Sequence, residues 1–218
     1  MINNLNEFIE KSIKVLEHSS IKINLEKIIY VDPFNIKKEY KDADYIFITH
    51  SHYDHFSEKD ILKIKKENTK IIITEDLFEK VKEMDFEENK IIIVEPNREY
   101  IFDEIKINTI YSYNTNKEFH PKENNWVGYI FNIENIKVYI AGDTDITDEN
   151  KNLKCDIALV PIGGTYTMDS KEAAELINII RPKYVIPTHY GSLVGKKCDA
   201  EEIISNLDED INYKIFIK

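Results

Sequence analysis

The sequence predicts an α+β protein. Apolar strand-like runs recur along the chain, amphipathic helical stretches with acidic first turns lie among them, and hairpin-like strand pairs occur in both halves. Runs rich in Ile, Val, Tyr and Phe place strands at 20–23, 27–31, 45–49, 70–73 and 91–94. The stretch 100–113 reads as a hairpin around Asp103-Glu104, and 127–133 pairs with 137–141 through Glu134-Asn135-Ile136. The last strands are expected at 157–161, 184–187 and 213–217. Helices are announced by a cap residue followed three later by an acid: Ser57 with Asp60, Asp169 with Glu172, Asp199 with Glu202. The first of these covers 57–66, and a shorter helix covers 75–83. The Asp169 helix stops at Arg181-Pro182, where proline disfavours continuation, and its Ala173, Ala174, Leu176, Ile177 and Ile180 form a core-facing stripe.

Composition bounds the container. A chain of 218 residues with few Gly or Pro, no low-complexity tract and no internal repeat is expected to form one domain, 1–218. The net charge of −11 is interspersed, which argues against a general nucleic-acid or anionic-membrane binder. Met1 to Glu7 show no basic segment followed by an apolar one, and no apolar run is long enough to span a bilayer, so a cytoplasmic protein is expected. Cys155 and Cys198 match no zinc-ribbon or redox motif; two reduced thiols are expected, Cys155 packing at a strand start. An oligomer is left open.

The chemistry is concentrated in His50-Ser51-His52-Tyr53-Asp54-His55, three imidazoles and a carboxylate where a strand ends and a helix begins. In an extended turn residues i and i+2 point the same way, so His50 and His52 can grip one ion while Asp54 and His55, beyond the bend, face a second. Imidazole nitrogen and carboxylate oxygen suit Zn²⁺, Mn²⁺ and Fe²⁺ alike. Three further candidates lie at strand ends or in a polar loop: Asp143 after an apolar strand and Gly142, His189 before Gly191, and His120 within 114–125. Singly, each reads more readily as a turn, packing or surface residue. Their weight comes from the count, since five of the six histidines sit in the motif or at such positions.

With those residues in view, the chain resembles the metallo-β-lactamase fold superfamily. His50-x-His52-x-Asp54-His55 looks like its second motif, Gly142-Asp143-Thr144 its bridging-aspartate motif, and Thr188-His189-Tyr190-Gly191 its last histidine motif. Val31-Asp32-Pro33-Phe34 resembles the first motif, and Phe119-His120-Pro121 the third histidine motif, with Asn114 or Asn116 as alternatives in that loop. The resemblance runs from about Ser19 to the C-terminus. It implies a four-layer αβ/βα sandwich of two mixed sheets with helices outside and a dinuclear metal site at one edge. Pro161 to Met168 and His18-Ser19-Ser20 look most like small hydrolases related to the ascorbate-phosphate lactonase branch.

By motif, the resemblance assigns His50, His52 and His120 to one ion, Asp54, His55 and His189 to the other, and Asp143 as the bridge. Asp32 and His18 are then supports, and Asp54 also orients or deprotonates water. Two ions about 3.5–4 Å apart share and activate a hydroxide. The expected cofactors are two divalent ions, zinc first. The expected activity is hydrolysis of a small ester, lactone or phosphodiester. Substrate contacts are expected at Gly163 and Gly164, whose backbone can approach an anion, and at Tyr166, which offers a flat face and a hydroxyl; a tight strand-to-helix turn reads equally well there. Lys122, Lys196 and Lys197 could attract a phosphate, or be ordinary surface lysines. The expected partner is a small anionic substrate, with no nucleic acid and no membrane. Two other readings stand beside this one: a non-enzymatic metal sensor or scaffold, whose sign would be a broken ligand set, and a di-iron redox protein, against which His52 and the short chain argue.

Overall fold

A computed structural model describes residues 5–103 and 105–217. The chain divides into two compact units, 1–94 and 95–218. In the first unit, β1 (Ile13–Glu17), β2 (Ser20–Asn24), β3 (Ile28–Val31), β4 (Ala43–Phe47), β5 (Lys65–Ile73) and β6 (Ile91–Ile93) form one sheet in sequence order. The pairs β1–β2 and β2–β3 are antiparallel, and every pair from β3 to β6 is parallel. Helix α1 (Leu5–Ser12) precedes β1, α2 (Glu58–Ile64) links β4 to β5, and α3 (Phe78–Lys82) links β5 to β6. Ile61, Ile64 and Val81 of these helices pack with Ile46, Ile71 and Ile73 of the sheet in one buried cluster. Because β3 and β4 run parallel, the residues that follow them leave from the same sheet edge. Those residues are Asp32 and the His50 to His55 turn.

The second unit repeats the scheme. Strands β7 (Glu99–Phe102), β8 (Ile105–Tyr111), β9 (Val127–Ile133) and β10 (Ile136–Ile140) form an antiparallel meander. The sheet continues through β11 (Ile157–Pro161), β12 (Tyr184–Thr188) and β13 (Asn212–Tyr213), all parallel. Helices α4 (Ser170–Ile180) and α5 (Asp199–Ser205) lie between the parallel strands in sequence, and Ala173, Leu176, Ile177 and Ile203 pack with Ala158 and Val160. Two antiparallel steps separate β8 from β10, so β8, β10, β11 and β12 all point one way. Their C-terminal ends deliver the 114–120 loop, Asp143, Gly163 and His189 to one edge. Both sheets are mixed, and the fold is α+β.

The elements differ from the sequence reading where side chains found other partners. Helix α1 and strand β1 carried no expectation, although Leu5, Phe8 and Ile9 have helical spacing and buried Ile13 and Val15 alternate with exposed residues; both elements are short. Helix α2 ends at Ile64, and Lys65 and Lys66 begin β5. Of the three expected capping boxes only Asp169–Glu172 forms. The Ser57 hydroxyl donates to the Asp60 carboxylate at 2.7 Å instead of taking a backbone N–H. Asp199 is the first residue of α5 and accepts from the Lys196 N–H. The expected strand 213–217 is only Asn212–Tyr213; beyond it Lys214 N–H still reaches Val185, but the Ile217 carbonyl takes the Tyr190 hydroxyl. The β7–β8 hairpin forms, although Glu104 of its turn, like Met1–Asn4, lies outside the described residues. Among the described residues no helix is long and apolar enough to cross a membrane. Both cysteines are free, and burial pushes the Cys155 thiol up to about 12, which keeps it protonated and unreactive.

Asp60 shows how the loop after β3 is held. Its buried carboxylate accepts the backbone N–H groups of Asn35 (2.8 Å) and Ile36 (3.1 Å) as well as Ser57 and Lys63. Burial raises its pKa, but the bonds from Lys63, Ser57 and Asn35 outweigh burial and hold it below the ordinary carboxylate range. A depressed folded pKa adds stability above the unfolded value of about 3.9, and that stability is lost as pH falls through the folded value. Asp60→Asn is therefore expected to lose about 1–3 kcal/mol at pH 7 by urea unfolding. The gap to the parent protein should narrow in acid; a gap that stays constant down to the acid limit would refute this account.

Candidate metal centre

In the first unit two of the donors, His50 and His55, are set by one buried carboxylate. Asp32 follows β3 with φ 47°, a left-handed conformation that Asp tolerates better than most residues. Its Oδ1 accepts the Thr49 N–H at 2.8 Å, and its Oδ2 accepts the Thr49 hydroxyl and His55 Nδ1–H, both at 2.7 Å. Burial pushes the Asp32 carboxyl above the ordinary carboxylate range, against the pull of His55 and Thr49. Since the Thr49 hydroxyl donates to Asp32, it accepts from His50 Nδ1–H at 2.9 Å. Both histidines thus carry their proton on Nδ1, and their Nε2 lone pairs face elsewhere. His50 Nε2 lies 3.1 Å from His52 Nδ1, and His55 Nε2 lies 3.7 Å from Asp54 Oδ2. The chain bends between them because the N–H groups of His55 and Phe56 both return to the His52 carbonyl. His18, also at positive φ, places Nε2 3.1 Å from the same Asp54 oxygen. The donor atoms of His18, Asp54 and His55 all lie within 4.8 Å of one another.

In the second unit His120 and His189 converge on Asp143. Their Nε2 atoms lie 3.4 Å and 2.9 Å from Asp143 Oδ2, and all three residues are buried. Asn114 Oδ1 accepts both the backbone N–H and Nδ1–H of His120, at 3.1 Å and 2.9 Å. Asn114 is therefore the group that orients His120, while Asn116 is exposed and bonds Lys117. The 114–120 loop is closed by Asn114 N–H to the His120 carbonyl and pinned by Asp145, which accepts from Thr115 N–H and Lys117. Ser112 donates to the Asp143 carbonyl, tying the end of β8 to the same turn. His189 sits at φ 57°, and Gly163 packs against it: a Cβ at Gly163 would meet the His189 carbonyl at 2.4 Å.

This last contact changes the reading of the Gly163–Gly164 turn. Gly164 N–H already donates to the Met168 carbonyl at 3.0 Å, so it is not a spare donor for an anion. Gly163 makes room for a histidine. Tyr166 is exposed, its carbonyl takes Asn114 Nδ2–H at 3.0 Å, and its ring meets Phe119 edge-on at 4.6 Å. Lys122 is engaged with Glu149 and Tyr113. Asn114 in its supporting role, Thr49, Ser112 and Asp145 were not singled out by sequence. Thr49 and Asp145 do stand beside the ligand motifs, and that adjacency was the available signal.

The donor set fits divalent metal. Two ligands each 2.0–2.1 Å from one ion at a tetrahedral angle lie about 3.3 Å apart. The His50–His52, His120–Asp143 and His189–Asp143 separations of 3.1, 3.4 and 2.9 Å bracket that value. Asn114 Oδ1 takes His120 Nδ1–H and leaves Nε2 aimed beside a carboxylate oxygen, the arrangement of two neighbouring metal ligands. All six histidines of the chain belong to these two clusters.

A family model described as the β-lactamase superfamily domain matches residues 12–189. The chain belongs to this superfamily. Within it, the chain is 31% identical to a UPF0173 metal-dependent hydrolase of Thermococcus onnurineus, over 87% of this chain and 89% of that protein. A crystal structure of a candidate metal-dependent hydrolase from Parabacteroides distasonis is 31% identical with a TM-score of 0.82, covering 94% of this chain and 93% of the other. A metallo hydrolase from Ignicoccus hospitalis shares the fold at 20% identity and a TM-score of 0.75, covering 93% of each chain. These neighbours have the metallo-β-lactamase fold, as the superfamily resemblance implied.

Trp126, the single tryptophan, is buried with its ring centroid 5.5 Å from that of His120. Binding of Co²⁺ through His120 is therefore expected to quench its emission. Asn114→Ala removes the acceptor that aims His120 and should shift the titration to about 10–100-fold higher metal. An unchanged midpoint would mean that Asn114 does not position a ligand.

Proposed function

We propose that the chain is a metal-dependent hydrolase of small anionic esters, lactones or phosphodiesters, with two divalent ions held by the two donor sets. Zn²⁺ is the first candidate on the nitrogen and oxygen donors, with Mn²⁺ and Fe²⁺ accepted by the same set. In this reading the first unit supplies His50, His52, Asp54 and His55 as ligands, and the second unit supplies His120, Asp143 and His189. The observation that carries it is the aim of His120 and His189 at one oxygen of buried Asp143. Membership of the superfamily and the names of the relatives support the same reading.

Bound divalent ions would bring the pKa of a water near 7 and polarise the scissile carbonyl or phosphoryl oxygen. The chain's own residues do the rest. Asp32, through Thr49 and His55, keeps the imidazole protons on Nδ1 and the Nε2 atoms aimed; Asn114 does this for His120. Asp54, steadied by His18 at 3.1 Å, takes the proton of the attacking water. That proton then passes to the leaving oxygen as the acyl or phosphoryl bond breaks. A local cationic focus inside a chain of net charge −11 favours a small anion over a long polyanion.

Protein reconstituted with excess Zn²⁺ or Mn²⁺ and desalted should retain close to two ions per chain by elemental analysis. It should hydrolyse bis(p-nitrophenyl) phosphate or a simple lactone, and lose that activity to a chelator. A stoichiometry saturating near one would refute the dinuclear centre, and chelator-resistant turnover would refute metal dependence. Asp143→Ala is expected to abolish hydrolysis and weaken metal retention with a native circular-dichroism spectrum. Parental turnover at limiting metal would remove Asp143 from the site.

A further inference from the structure

We infer that Phe119 and Tyr166 form a substrate platform for a flat apolar substituent, so that the preferred substrate is an anion carrying an aryl or similar planar group. This rests on the hydrolase reading above and narrows its substrate class. Phe119 is 47% and Tyr166 38% exposed, and their rings meet edge-on at 4.6 Å with an interplanar angle of 89°. Single exposed apolar side chains are ordinary, but two aromatic rings in contact leave a contiguous apolar face in water.

The position of the pair is what points to a ligand. Phe119 adjoins His120 in sequence. The Tyr166 carbonyl is bonded to Asn114 Nδ2–H, and the Oδ1 of the same Asn114 holds His120. One amide thus fixes a metal-ligand candidate and an exposed aromatic loop to each other. The loop is further held by Gly164 N–H to the Met168 carbonyl and Met168 N–H to the Thr144 carbonyl, next to Asp143. A platform held in this way loses little conformational freedom when a ligand stacks on it. A third exposed apolar side chain, Leu193, follows His189 by four residues. Apolar surface with a few polar groups converging beside it is the usual make-up of a small-molecule site. The anionic end would go to the donor cluster and the flat end to the rings.

Phenylphosphonate and methylphosphonate share one anionic head and differ in the ring. Their binding to metal-loaded protein, measured by calorimetry, separates the two parts. The parent protein should prefer phenylphosphonate by about two- to tenfold, the range that aromatic pairing supplies. Phe119→Ala and Tyr166→Leu should bring the ratio of affinities toward one, whereas Tyr166→Phe, which keeps the ring, should retain it. Both positions are exposed, so the variants should fold, which circular dichroism checks. Equal affinity of the parent for the two phosphonates, or a preference surviving both ring removals, would overturn the platform alone. No metal-dependent binding of methylphosphonate would overturn the hydrolase reading and the platform with it.

Discussion

The aim of His50 and His55 in the first donor cluster depends on one carboxylate kept out of water. Asp32 has no exposed route to hydration, so its oxygens must be satisfied by protein donors. It finds them in Thr49 N–H, the Thr49 hydroxyl and His55 Nδ1–H. Those bonds assign the tautomer of His55 directly and of His50 through Thr49. Without them two buried imidazoles would be free to rotate or to exchange protons between nitrogens, and the Nε2 atoms would have no fixed aim. The second unit solves the same problem with a neutral group. Asn114 uses its carbonyl oxygen where Asp32 uses a carboxylate, and it adds an N–H that reaches the aromatic loop.

The sheets make this economy of residues workable. Parallel pairing of β3 with β4 in the first sheet, and of β10 with β11 and β11 with β12 in the second, sends successive strand ends to one edge of each sheet. Each strand can then contribute a ligand or a support with a turn of only a few residues. Those turns are conformationally demanding: Asp32 and His189 adopt left-handed backbone, and Gly142 does so before Asp143. Asp and His accept that conformation more readily than branched residues, which is one reason polar ligands and strained turns coincide here. The Gly163–His189 contact shows the same constraint from outside, since a side chain at 163 would displace the histidine's backbone.

The α+β class, most strands and the ligand motif were legible in sequence because they rest on local patterns. Apolar runs, the Pro182 stop and the imidazole-rich turn after β4 need no knowledge of neighbours. Where the periodic stretch was short the reading missed, as at α1 and β1. Where a side chain had a distant partner it erred: Asp60 takes the Asn35 and Ile36 N–H groups along with the Ser57 hydroxyl, and the Ile217 carbonyl takes the Tyr190 hydroxyl in place of a ladder bond. Gly163 and Gly164 read as an anion cradle because glycine permits close approach; sequence does not say that what approaches is a histidine.

By itself, then, the sequence determined that imidazoles and carboxylates gather at strand ends, since those residue types follow apolar runs in unusual density. Tertiary structure decided how those residues are used. The ring nitrogen that holds the proton depends on an acceptor that folding brings to it, Asp32 for His55 and Asn114 for His120. The choice of Asn114 as support, the commitment of Gly164 N–H to Met168, and the pairing of Phe119 with Tyr166 across 47 positions are products of chain folding. A hydrogen bond is specified by the direction and distance of two groups, and a linear sequence carries neither.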